Sequence, residues 1–238
     1  MAELISLLFG PQWFYKESLG IDLISAAILV ACALASMKYS AHTSKKRQHK
    51  KLTFAFVLIA VAFVIKAIVG VLAHYQLVQP ESPLVALFGT ILGVGGTVML
   101  IVFLLYHALT LFGFYLFYTI YHKQTTRNMI LGIYLLGIVV FVAIGANFVF
   151  HLTLALLIGF VTSTYYERYR KTNNPVTRTL MIGFGIIALS HAVFVFKYFV
   201  VLYLIAELFQ LIGYITLLAA LVMVLRHGKK TIANRHHT

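Results

Sequence analysis

Seven runs of about 20 predominantly apolar residues, separated by short polar or basic connections, dominate this sequence. A helix rises about 1.5 Å per residue, so each run matches the roughly 30 Å hydrocarbon core of a bilayer. Lipid offers no partner for backbone N–H and C=O groups, and the alternating pattern of a β-barrel is absent, so the runs read as helices. Composition agrees. With 61% hydrophobic and 11% charged residues and a mean hydropathy of +0.94, the chain cannot coat a water-facing surface. The expected fold is an all-α integral membrane protein of seven transmembrane helices, at 20–40, 51–75, 97–121, 129–147, 150–168, 178–200 and 202–226.

The connections vote on orientation. Lys38, Lys45, Lys46, Arg47, Lys50 and Lys51 follow the first run, Lys123 and Arg127 the third, and Arg168, Arg170, Lys171 and Arg178 the fifth. Arg226, Lys229, Lys230 and Arg235 follow the seventh, so alternate ends hold 16 of the 19 Lys and Arg residues. Basic connections stay cytoplasmic, which predicts the N-terminus outside and the C-terminus inside, multi-pass in the cell (plasma) membrane. The net charge of +13 is thereby explained by topology and anionic lipid headgroups, and nucleic acid is excluded as a partner. Tyr118, Tyr121, Tyr165, Tyr166 and Tyr169 suit the inner interface, and Trp13, Tyr15, Tyr75 and Tyr203 the outer one. Residues 1–19 read as an outer interfacial segment with no cleavable signal peptide, and 227–238 as a basic cytoplasmic tail. The single Cys32 excludes an intrachain disulfide.

One stretch is too long for a single crossing. Leu84 to Tyr121 spans 38 residues, about 57 Å as one helix. Gly93, Gly95 and Gly96 supply a break, so 84–95 is expected to form an extra outer piece. The remaining layout repeats: 20–121 and 150–226 each hold three spans, with 129–147 as a linker helix. An offset of 128 pairs Leu52 with Leu180, Phe56 with Phe184, Ile59 with Ile187 and Ala60 with Ala188. An offset of 100 pairs Leu104 with Leu204, Leu111 with Leu211 and Gly113 with Gly213. The chain is thus expected to be a 3+1+3 parallel repeat, an arrangement that in transporters places the site at the repeat interface. The layout resembles seven-span opsins and sugar-transporter-like proteins in topology alone. A retinal opsin needs a Schiff-base lysine in the last span, and 202–226 contains none.

Ionisable side chains in hydrocarbon cost on the order of 3 kcal/mol each, so those present face a cavity or one another. Lys66, His107, His191, Lys197 and Glu207 fall within the runs, in the outer half, and Glu207 reads as the one acidic residue deep in a span. The offset of 100 relates His107 to Glu207 and Thr110 to Gln210, each pair spaced i,i+3 on one helix face. Glu207, His107, His191, Lys66, Gln210 and Thr110 are therefore the expected ligand or proton site, gathered into one cluster. His74 and His151 read as interfacial residues at outer helix ends, and Lys197 as a residue reaching the headgroups. No cofactor is implied; the lesser alternative is a haem or metal ion held by His107, His191 and Glu207, though no HxxxH or CxxC spacing marks one. No catalytic motif is present, so an enzyme is the minor reading.

The expected function is binding or transport of a small solute or ion. The alternatives are an accessory or structural subunit of a larger membrane complex, or a sensor acting through a partner. Oligomeric or complex assembly fits all three.

Overall fold

The structure, a computed structural model, describes residues 15–40, 46–78, 95–122, 124–196 and 199–235. These form seven helices, numbered here α1 (Tyr15–Ser40), α2 (Lys46–Val78), α3 (Gly95–Tyr121), α4 (Thr126–Val142), α5 (Asn147–Thr172), α6 (Pro175–Phe194) and α7 (Val200–Arg235). Six are long and apolar enough to cross a membrane; α4, at 17 residues, is shorter. The chain is a multi-pass helical membrane protein.

Helix ends depart from expectation in ways local chemistry explains. Residues 15–19 belong to α1 and not to a surface segment, and α7 continues through the expected tail to Arg235. The expected fourth span, 129–147, ends at Val142, followed by a turn in which Gly145 and Ala146 donate to Val142 O. The expected sixth span, 178–200, ends at Phe194, after which Phe196 N donates to Val193 O and Phe199 N to Phe196 O ahead of α7. Asn173 closes α5 in the left-handed region (φ 45°), which asparagine tolerates because its short amide bonds locally. Asn174 then caps α6 by accepting from Val176 N, and Pro175 starts the helix where no amide is needed. The expected outer piece at 84–95 lies outside the described residues except for Gly95, where α3 begins.

Helices α1, α2, α3, α5, α6 and α7 touch in a closed ring, because α3 packs on α5 and α7 on α1; α4 packs outside against α3 and α5. Each ring helix buries one stripe. On α1 it is Ser18, Asp22, Ser25, Leu29, Cys32 and Ser36; on α5, Asn147, His151, Leu154, Ile158, Val161 and Tyr165; on α7, Tyr203, Glu207, Gln210, Tyr214, Leu217 and Leu221. Spacings of three and four keep a stripe on one face. The outward faces carry exposed Leu23, Ile24, Ile101, Leu156, Phe160 and Ile212, as lipid contact requires. The lower interior is aromatic: Phe117 lies edge-on to Phe56 (4.9 Å) and Phe184 (5.3 Å), and Tyr165 stacks on Phe184.

Two glycines let helices close up. A Cβ on Gly113 would fall 2.5 Å from Ile59 Cγ1 and 3.2 Å from Ala55 O on α2. A Cβ on Gly213 would fall 2.4 Å from Ile187 Cγ1 and 3.2 Å from Gly183 O on α6. Without water to drive apolar association between helices in lipid, such close backbone packing supplies much of the adhesion.

Candidate functional site

The stripe positions on α1 and α7 meet Lys66 of α2 in a buried charged network. Lys66 Nζ donates to Asp22 Oδ1 at 2.9 Å and lies 3.5 Å from Glu207 Oε1. The same Glu207 oxygen accepts from Ser18 Oγ at 2.6 Å and from the Tyr203 hydroxyl at 2.8 Å. Lys66 is 5% exposed and both acids are 1% exposed. Two carboxyl groups thus face one ammonium, so with both ionised one negative charge has no cation. Among the described residues, Asp22 Oδ2, Glu207 Oε2 and Ser25 Oγ have no hydrogen-bond partner. Breaking such a buried pair costs several kcal/mol, because the remaining charge stays in a medium that cannot solvate it.

Asp22 corrects the expectation that Glu207 is the one deep acid. It lies two turns into α1, and a helix beginning at Tyr15 places it inside the bundle and not at its rim. Tyr203, expected at the outer interface, is buried and its hydroxyl serves Glu207. Tyr165, expected at the inner interface, is also buried, in the aromatic floor.

The second network is built from imidazoles. His107 on α3 donates from Nδ1 to Phe103 O at 2.7 Å, since a carbonyl can only accept. Its Nε2 lies 3.1 Å from the Asn147 side-chain amide of α5. One turn along α5, His151 Nδ1 lies 3.2 Å from His191 Nδ1 of α6, so one proton serves that contact. Gln210 Nε2 lies 3.5 Å from His191 Nε2 and donates to the Tyr214 hydroxyl at 3.2 Å. With the amide donating to Nε2, neutral His191 carries its proton on Nδ1 and donates it to His151. His151, expected at the membrane surface, is therefore buried in the bundle and bonded.

All six expected site residues are buried. They are distributed over two networks and not one: Lys66 and Glu207 join the charged one, while His107, His191 and Gln210 join the imidazole one. Within the imidazole network the Phe150 ring lies 4.0 Å from His107 and 5.0 Å from His151. Thr110 donates to Tyr106 O on its own helix, as buried helical threonines do. His107, His191 and Glu207 share no common contact, and among the described residues no group of three or more His, Cys, Asp or Glu is disposed to hold a metal ion. Lys197 lies outside the described residues, as does the side chain of His74.

Ser18, Asp22, Asn147, His151 and Tyr203 were not legible as site residues. The signal was the seven-residue recurrence of polar side chains on α1, visible once the helix is started at Tyr15. No protein-family model matches the chain, and neither any curated protein nor any solved structure matches it. Function rests on the geometry: a multi-pass helical bundle enclosing a buried Lys/Glu/His network.

Proposed function

We propose that this protein binds a small solute or ion within the bundle and carries it across the membrane, with a proton as the coupling ion on the Asp22–Glu207 carboxylate pair. The observation that carries the reading is the pair itself: two buried carboxylates held around one ammonium, with an oxygen of each left over. A proton supplies the missing charge without further ligands. A metal cation in a transporter commonly takes oxygens from unwound backbone, whereas α1, α2 and α7 run as unbroken helices through Asp22, Lys66 and Glu207.

The 3+1+3 parallel repeat supports the same reading. Applying the offset of 128 to α2 and 100 to α3, as in the sequence, turns the Gly113–Ile59–Ala55 approach into the Gly213–Ile187–Gly183 approach. An offset of 129 lays the buried α1 stripe onto that of α5 position by position, pairing Ser18 with Asn147 and Asp22 with His151. Under these offsets the Ser18–Glu207 contact corresponds to the Asn147–His107 contact, and the Asp22–Lys66 pair to the His151–Phe194 stack at 4.8 Å. Both networks then lie where the third helix of one half meets the first of the other, at the repeat interface where transporter sites form. The reading includes α4 as a seventh span near the lower length limit, with the N-terminus outside and the C-terminus inside the plasma membrane, as the basic connections suggest.

Proton-binding titrations of the purified protein and of Glu207→Gln test the proposal. If Glu207 cycles a proton, the two curves differ by one proton per chain somewhere between about pH 4 and pH 9. Curves that superimpose throughout would mean a permanently ionised, structural carboxylate, and the coupling role would be lost.

A further inference from the structure

A groove of about 510 Å³ lies between α5 and α6, bordered by Gly159, Thr162 and Ser163 on one side and by Gly185 and Ala188 on the other. Neighbouring Leu156, Phe160 and Leu189 are exposed, so the groove opens towards lipid. It is deep because side chains are small, not because the helices part. A Cβ on Gly159 would meet nothing within 4 Å, and one on Gly185 would meet Thr162 Cγ2 at 3.5 Å.

Charge is confined to one end. Tyr166 lines the groove towards the α5–α6 turn, and the Arg170 guanidinium, one turn further, lies 6.0 Å from its ring centre. On α6, Arg178 sits one turn before Ile182, which lines the other wall. Both arginines are exposed, and the turn adds exposed Arg168 and Lys171 against a single acid, Glu167. A long apolar trough with a cationic end is the complement of a molecule that is apolar along its length and anionic at its head.

We infer that this groove is a binding site for one anionic phospholipid, an acyl chain lying against Gly159 and Gly185 and the phosphate held between Arg170 and Arg178. A partner helix fits less well, because it would have to cover two arginines at the bundle's end without a matching anion. The lipid fits because its phosphate is that anion, at the depth where the apolar trough stops.

Native mass spectrometry of the detergent-solubilised protein, exposed to equimolar phosphatidylglycerol and phosphatidylcholine of identical chains, tests this. The wild type should retain one lipid, with phosphatidylglycerol favoured about tenfold or more. Arg170→Gln with Arg178→Gln should reduce that preference below about twofold, whereas Gly159→Leu should lower retention of both lipids by filling the trough. Lys50→Gln with Lys51→Gln, basic residues on a different connection, should leave the preference intact. Equal retention of the two lipids by the wild type would overturn the site, as would a preference that survives the double arginine change. So would equal sensitivity to the lysine changes, undiminished binding in Gly159→Leu, or a dimer that Gly159→Leu dissociates.

Discussion

The charged network of α1, α2 and α7 and the imidazole network of α3, α5 and α6 solve one problem by opposite means. Each must keep polar atoms satisfied inside an apolar bundle. The first does so with formal charges, Lys66 against Asp22 and Glu207, and ends one cation short. The second uses neutral groups, with the Gln210 amide facing both the Tyr214 hydroxyl, to which it donates, and His191, which in turn meets His151. Charges tie three helices strongly but punish any lost partner; imidazoles and amides bind less tightly and tolerate rearrangement. Under the proposed proton coupling, the imbalance marks where a charge would come and go, against a neutral imidazole network.

That contrast can be broken most directly at Lys66. Lys66→Met leaves two carboxylates buried with no cation and should cost about 3–5 kcal/mol in detergent unfolding experiments. Adding Asp22→Asn and Glu207→Gln to it should restore most of that loss. A single change costing under about 1 kcal/mol would show that water reaches the network and that the contrast is false.

The next largest effect concerns the proposed equivalence of the halves. Gly113→Ala and Gly213→Ala each drive a methyl into an isoleucine Cγ1, at 2.5 and 2.4 Å, and each should destabilise by about 1–3 kcal/mol. The partner changes Ile59→Ala and Ile187→Ala should relieve them in part. Costs that differ severalfold would separate the two halves mechanically.

His191→Phe removes the contacts to His151 and Gln210 and should cost about 1–2 kcal/mol in the same assay. Its shape is tolerable: Phe63 occupies the position 128 residues earlier, buried against Tyr214. A loss as large as that of Lys66→Met would mean that the imidazole half carries charge after all.

The smallest effect on stability is expected for Glu207→Gln. The amide oxygen can still accept from Ser18 and Tyr203, and Lys66 keeps its shorter contact to Asp22. The change should cost under about 1 kcal/mol in thermal unfolding while altering the proton titration. A large drop in stability would make Glu207 the principal partner of Lys66 and Asp22 the spare.

Much of the bundle follows from the sequence alone. A segment of some 20 apolar residues in lipid has one solution, because each helix satisfies its own backbone without reference to any neighbour. The burial of Lys66, His107, His191 and Glu207 is legible for a related reason: an ionisable group at that depth has nowhere to go but inward. What the sequence leaves open is which side chains meet. Tyr203 reads as an interfacial residue and Asp22 goes unmarked, because their roles depend on where α1 begins and on α7 lying beside it, 180 residues away along the chain or more. Which imidazoles meet depends on helix rotation, with Phe150 standing between His107 and His151 inside one network, and apolar composition does not encode that. The buried stripe on α1 selects a face, but only the ring of six helices determines that this face looks at Lys66. Local hydrogen bonding decides the helices one at a time; the charge balance of the site is a property of three helices at once, and it exists only after they have packed.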